Sequence, residues 1–202
     1  MVANLIKLPN PRLKGLMSVE EAISGRRSVR EFSSTPLSLE DLSQLLWAAQ
    51  GITEPESGGR SAPSAGATYP LELFVFVKEN GVKGVEYGVY RYRPLDHSLI
   101  KVASEDRVKS LMEAALYQEF INDAPLNIVI AAKYERTTAR YGSRGVRYVH
   151  IEVGHVGQNI SLEAVSLGLA SVVVGAFNDN LVKKLIDEAA EPLYIIPVGH
   201  KP

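Results

Sequence analysis

The chain contains no cysteine among its 202 residues. That absence excludes disulfides, thiolate catalysis, cysteine-ligated zinc and iron–sulfur clusters. A surplus of one charge is also missing: 22 Lys and Arg stand against 23 Asp and Glu, a formal net charge of −1. A general nucleic-acid binder needs a basic surplus on one face, so no nucleic-acid partner is expected. No window approaches the roughly 18 consecutive apolar residues of a membrane-spanning helix, so no membrane partner is expected. The apolar stretch within residues 1–10 is broken by Lys7 and Pro9 and does not read as a signal peptide. Repeats, low-complexity tracts and linkers are lacking as well. With 46% hydrophobic and 22% charged residues, the composition is that of a globular protein long enough to bury its own core. One soluble, cytoplasmic α+β domain spanning 1–202 is the expectation.

Several elements announce themselves locally. Ser18-Val19-Glu20-Glu21 fits a capping box, and Gly25 supplies a stop for the short helix that follows. Ser38 opens a second helix with Leu39, Leu42, Leu45, Leu46 and Ala49 on one face, ended by Gly51. Residues 52–66 read as a loop rich in Gly, Pro and small polar residues. Residues 71–78 and 126–132 are nearly unbroken apolar runs, expected as buried central strands. Further strands are expected at 85–92, 99–102, 171–175 and 193–198. Ser104 is expected to cap a helix through about residue 117, and another helix is expected over 180–189. Residues 144–167 predict a long helix, apolar on more than one face, of the kind found at a domain centre or an oligomer interface.

The familiar catalytic spacings fail. His150 and His155 are five residues apart, whereas two helical zinc ligands need i and i+4, so no metal site is expected. Gly81, Gly84 and Gly88 open no helix and make no dinucleotide fingerprint. No lysine follows a glycine loop in the phosphate-loop pattern. Ser64 lacks the first glycine of a nucleophile elbow, which leaves a serine hydrolase as a distant alternative.

Two segments remain. Arg26-Arg27-Ser28-Val29-Arg30 packs three cations and a hydroxyl just past a helix end. Two readings stand: basic side chains complementing the negative pole of that helix, or an anion site in which arginine forks and a serine hold phosphate oxygens. The second segment, residues 63–70, is built of small residues that let backbone approach a flat ligand, with Ser64 and amide groups as donors. An ordinary surface loop is its plain alternative.

Taken in order, these segments resemble the nitroreductase family of FMN-dependent oxidoreductases. Arg26-Arg27-Ser28-Val29-Arg30-Glu31-Phe32 resembles the family's opening signature. Ala62-Pro63-Ser64-Ala65-Gly66, followed by Tyr69-Pro70, sits where the family has its flavin-contacting loop, and Gly175-Ala176-Phe177 where a backbone amide meets the flavin ring. Leu46-Trp47-Ala48-Ala49-Gln50-Gly51, Ala65-Gly66-Ala67-Thr68-Tyr69-Pro70-Leu71-Glu72 and Gly154-His155-Val156-Gly157-Gln158-Asn159 are similar to the SagB-type dehydrogenases, which oxidise azolines in peptide biosynthesis.

The resemblance implies a nitroreductase-like mixed central sheet flanked by helices, in an interlocked homodimer. It implies FMN at the dimer interface, with NAD(P)H as co-substrate and a small-molecule electron acceptor. Arg26, Arg27, Ser28 and Arg30 are implied at the phosphate, ribityl chain or pyrimidine edge, with Arg27 acting partly through its backbone. Pro63, Ser64, Ala65 and Gly66 are implied to reach the flavin of the other subunit, and Tyr69 is implied as a cofactor-binding residue of the same loop. Ala176, or Gly175 beside it, is implied to turn its amide toward the flavin ring, Val174 is implied as a cofactor-binding neighbour, Gln118 is implied at the pyrimidine edge, and Lys201 adds a basic phosphate contact. The long helix at 144–167 is implied as the dimer core. The chain departs from classical nitroreductases at Ala67 and Tyr69, where Asn and Gln are usual. It departs from azoline dehydrogenases at Arg140-Tyr141, where a Lys-Tyr pair is expected. Arginine does not deprotonate, so it makes a poor general base; Tyr141 stays as a substrate-pocket candidate. A generic reductase is thus favoured over an azoline dehydrogenase, with a non-redox phosphate-ligand module as the alternative of another class.

Overall fold

The computed structural model describes residues 5–186 and 189–202. Two apolar runs form the middle of its sheet. Strands β4 (Leu71–Val77) and β7 (Leu126–Ala132) pair antiparallel from Leu71 opposite Ala132 to Val77 opposite Leu126. Side chains alternate across a strand, so a run without polar residues must bury both faces. Leu71, Leu73, Val75 and Val77 enter one core, whereas Phe74 and Phe76 enter the other.

Outward from this pair lie β5 (Gly88–Arg93), β6 (Ser98–Ala103) and the edge strand β1 (Leu5–Lys7) on one side. On the other side lie β9 (Glu191–Gly199) and the two-residue edge β8 (Ala170–Ser171). Every strand-to-strand pairing in this seven-stranded sheet is antiparallel. The parallel contribution to the mixed sheet is confined to isolated bridges, Ser28–Ser171 and Leu37–Val82.

One face is covered by α2 (Leu39–Gln50) and α6 (Arg144–Ser166), which bring Leu42, Leu45 and Leu46 against Val149, Val153, Val156 and Ile160. The other face carries α3 (Val108–Ala114), α4 (Phe120–Asp123) and α7 (Asp179–Leu185) through Leu111, Ile121 and Val182. The expected capping box forms at Ser18–Glu21 before α1 (Val19–Gly25), and the structure adds a second at Ser38–Asp41 before α2. Among the described residues no helix is long and apolar enough to cross a membrane.

Several local expectations are corrected. The stretch 52–66 is more than a loop: β2 (Ile52–Glu54) and β3 (Gly59–Arg60) form a small antiparallel pair, and a 3-10 turn covers Ala65–Ala67. Ser104 caps nothing. Asp106 accepts from the Val108 N–H at 3.0 Å instead, and α3 starts four residues later than Ser104. It also ends early, because Leu116 and Tyr117 both adopt left-handed backbone (φ 58° each) that breaks a helix. The strand expected at 171–175 shrinks to β8, and Val174 rejoins the sheet only as a bridge to Ile195. Asn178 caps α7 one residue ahead of the expected start. That helix ends at Leu185 rather than at the expected residue 189, and residues 187–188 of the expected span lie outside the described residues. Helices α4 and α5 (Glu135–Tyr141) are too short to show a period in the sequence.

Candidate functional site

The expected site residues fall into two clusters. The first forms where the chain leaves α1. Ser28 bridges Ser171 in parallel, and the Val29 N–H donates to the Ser171 carbonyl at 3.0 Å. A few residues on, the Ser33 N–H donates to the His200 carbonyl at 2.9 Å, which brings the tail with Lys201 alongside. The two readings of the basic segment divide among its residues. The Arg27 guanidinium donates to the Ser24 and Arg26 carbonyls at 2.9 and 2.7 Å, so it satisfies the helix end. Arg26, Arg30 and Lys201 make no ion pair among the described residues, and Arg30 only lies over the Phe120 ring at 5.9 Å. Arg27 and Lys201 line one cavity of about 270 Å³ with Ser171.

Gln118 and the 174–176 segment join this cluster. The Gln118 side-chain amide donates to the Ala115 and Ala176 carbonyls at 2.8 and 3.0 Å, so it pins the turn rather than projecting freely. Val174 is buried, and its N–H and C=O are both taken by Ile195 (2.8 and 3.0 Å). Val174 therefore anchors the turn and has no amide to offer. Gly175 and Ala176 are exposed, and neither N–H donates to a described residue. The cluster thus offers three uncommitted cations, the Ser28 hydroxyl and two free amide donors, a donor set suited to anionic oxygens and ring acceptors.

The second cluster surrounds the loop 63–69. Pro63 and Gly66 are exposed, while Ser64, Ala65 and Tyr69 are half-buried. Gly66, Ala67 and Tyr69 all have left-handed backbone (φ 59°, 52° and 43°), which glycine adopts freely but which strains Ala67 and Tyr69 and needs external support. Support comes from a closed ring of contacts. The Tyr69 N–H donates to Ser64 Oγ at 2.9 Å, and Ser64 Oγ donates to Glu152 Oε2 at 2.6 Å. Gln50 Nε2 donates to Glu152 Oε1 at 3.5 Å, and Arg60 Nη1 donates to Gln50 Oε1 at 2.8 Å. The ring closes as the Arg60 N–H donates to the Tyr69 hydroxyl at 3.2 Å, with the guanidinium 4.4 Å from the Tyr69 ring centroid. Burial pushes the Glu152 carboxyl above its ordinary range, opposed by its bonds from Ser64 and Gln50.

Helix α5 braces the loop from outside. Arg136 donates to the Tyr69 carbonyl at 3.1 Å and to Glu72 at 2.6 Å, and Arg140 donates to the Gly66 carbonyl at 3.1 Å. Tyr141 stands edge-on to Tyr148 at 5.1 Å and lies so close that a Cβ on Gly66 would fall 2.4 Å from its hydroxyl. The sequence reading missed Gln50, Arg60, Arg136 and Glu152 as members of the site. Glu152 left a signal: it is a charge on the same α6 stripe as Val149, Val153 and Val156, all buried.

The two clusters lie at opposite ends of the sheet. Loop 63–69 feeds Leu71, which pairs with Ala132, whereas Ser171 pairs with Val198, itself opposite Leu126. Seven-residue strands separate those ends by roughly 20 Å. One chain therefore keeps the two clusters apart.

The sequence profile of the Nitroreductase family matches residues 23–200, which contain both clusters up to His200. The chain belongs to the nitroreductase family. It is 51% identical over 185 residues to a nitroreductase relative from Methanocaldococcus jannaschii, covering 92% of each chain. It is 30% identical over 156 residues to McbC, the microcin B17-processing protein of Escherichia coli, covering 75% of this chain but only 57% of McbC. Among solved structures, a Ralstonia eutropha protein assigned to the nitroreductases superposes with a TM-score of 0.85 at 30% identity, covering 98% of this chain and 90% of that one. The E. coli microcin synthetase McbBCD complex matches with a TM-score of 0.76 at 26% identity, over 96% of this chain and 77% of that chain. Membership of the nitroreductase family and likeness to McbC agree with the resemblance to SagB-type proteins.

Proposed function

We propose that this nitroreductase-family chain is an FMN-dependent oxidoreductase, one domain per subunit, working as a homodimer with two composite sites. The carrying observation is the first cluster: among the described residues Arg26, Arg30 and Lys201 make no ion pair, and the N–H groups of Gly175 and Ala176 donate to no described residue. Cations left unpaired at a protein surface suit a phosphate, and two outward amides suit the acceptors of a flat heterocycle. The residues therefore fit FMN. When bound, the flavin supplies the redox chemistry, taking two electrons from NAD(P)H and passing them to a small-molecule acceptor.

The chain's own contribution is binding and orientation. Arg26, Ser28, Arg30 and Lys201 hold the phosphate and the polar edge of the cofactor. The amides of Gly175 and Ala176 donate toward the ring nitrogen where reduction occurs, and the Gln118–Ala176 and Val174–Ile195 bonds fix the direction in which they point. Pro63, Ser64, Ala65 and Gly66, held by α5 and by Glu152, cover the cofactor of the other subunit, with Tyr69 bracing them from behind. Tyr141 borders the place where substrate enters. Exposed Val146 and Ile151 on α6, and Val19 and Ile23 on α1, supply apolar surface for the dimer contact.

A second reading, a dehydrogenase of the SagB type, draws support from the likeness to McbC. Arg140 weighs against it. Its guanidinium is engaged with the Gly66 carbonyl and does not act as a base. The test is to load the purified protein with FMN, remove the excess and add NADH or NADPH anaerobically. Retained yellow colour that bleaches with either nicotinamide supports the reductase. Retained colour that ignores both favours the dehydrogenase, and no retained flavin refutes both.

A further inference from the structure

Glu152 is the only charged side chain among the fully buried described residues, at 3% exposure. A lone carboxylate in a core is unfavourable unless its oxygens are satisfied and the site has a use for the charge. Nothing in the packing of α6 requires it, since its neighbours on the stripe are valines. What it does touch is the strained loop. We propose that Glu152 is a positioning residue whose carboxylate locks loop 63–69 into the shape that meets the flavin of the partner subunit. The flavin clause rests on the proposed function; the locking of the loop does not.

The direction of each hydrogen bond carries the inference. Ser64 Oγ accepts from the Tyr69 N–H, so its own proton must go to an acceptor, and Glu152 Oε2 is there. Gln50 Oε1 is occupied by Arg60, so the Gln50 amide can present only its NH2 to Glu152 Oε1. Both oxygens of residue 152 must therefore accept, which an ionised carboxylate does and a carboxamide does not. Glutamine at 152 would face either Ser64 or Gln50 with a second donor, and the ring would open at that junction. Gly66, Ala67 and Tyr69 would then lose the support that holds their left-handed backbone.

A charge exchange restores every junction. In a Glu152→Gln, Gln50→Glu double variant, Ser64 donates to the carboxamide oxygen of residue 152. Its NH2 donates to the new carboxylate at position 50, whose other oxygen accepts from Arg60. The experiment measures hydrogen exchange at the Tyr69 amide without flavin, and FMN retention in parallel, with β7 amides and the melting temperature as controls for folding. Glu152→Gln is expected to speed Tyr69 exchange by about tenfold or more and to weaken FMN retention by about tenfold or more. The β7 amides stay protected, and the double variant recovers both readouts. Ser64→Ala gives the same loop exchange if Glu152→Gln folds poorly. Unchanged Tyr69 exchange in both single variants overturns the locking role. Faster exchange with unchanged FMN retention overturns the flavin clause alone and removes loop 63–69 from the cofactor site. A double variant no better than Glu152→Gln overturns the directional ring.

Discussion

The basic segment gives the sharpest contrast between neighbours. Arg30 is exposed and lies 5.9 Å from the Phe120 ring centroid, with no ion pair among the described residues, so its replacement by alanine should cost the fold no more than about 1 kcal/mol. If it holds the cofactor phosphate, the same change removes a charged hydrogen bond of about 1.5–3 kcal/mol. That corresponds to roughly a 10- to 150-fold rise in the FMN dissociation constant. Arg27 should behave oppositely. Its guanidinium is spent on the Ser24 and Arg26 carbonyls, so Arg27→Ala should lower stability by about 0.3–1 kcal/mol through the helix end. Its effect on FMN should stay within about threefold, because any cofactor contact it makes runs through the backbone. Flavin fluorescence titration and urea melts of both variants decide the matter. Arg27→Ala weakening FMN while Arg30→Ala does not would show that the assignment of these side chains is reversed.

Other perturbations separate the loop from the fold. Gly66→Ala places a Cβ 2.4 Å from the Tyr141 hydroxyl and 2.7 Å from Arg140 Nη1, both ends of mobile side chains, at φ +59°. The left-handed backbone alone should cost about 1–2 kcal/mol in a urea melt, with FMN retention falling further than stability; unchanged stability would contradict the backbone described. Gln118→Ala should free the 174–176 turn, with faster exchange at the Asn178 amide, which donates to the Ala114 carbonyl at 2.8 Å, and about 1 kcal/mol less stability; an Asn178 amide that stays protected would mean that the Val174–Ile195 bonds suffice. Burial raises the Glu152 carboxyl above its ordinary 4.5, so the unfolded chain loses that proton first as pH rises. The stability of the native protein relative to Glu152→Gln should therefore be greatest below that value and decline as pH climbs through the window to the raised value. Tyr69 amide protection should rise over the same window, since the ring needs the ionised form. A stability difference that grows with pH would invert the sign and refute the burial argument.

Much of the scaffold was legible because its causes are local or periodic. Ser18 and Ser38 cap helices through residues three positions away, and the runs that became β4 and β7 admit no solvent face. Where the sequence misled, a distant or competing partner decided. Ser104 yields to Asp106, and β1 exists only because Leu5–Lys7 pairs with β6 about ninety positions on. The site was half legible. The Arg26–Arg30 cluster stood out by composition, but its division between a helix end and a free anion site depends on how the chain turns at Arg26. Gln50, Arg60 and Glu152 come from three separate elements, and their ring is visible only once α2, β3 and α6 converge. A single carboxylate on an apolar stripe was the one sequence trace of it.

The claim that one chain carries two separated half-sites is tested most directly by subunit complementation. One variant carries Arg26→Ala and Arg30→Ala, and the other carries a bulky Gly66→Trp in the loop. Each alone should retain no FMN after gel filtration. Mixed in equal amounts, unfolded and refolded together, they should regain flavin in about one quarter of all sites, because each hybrid dimer assembles one intact site. Flavin that never returns on mixing, although hybrid dimers form, would mean that each chain builds its site alone and would contradict the account.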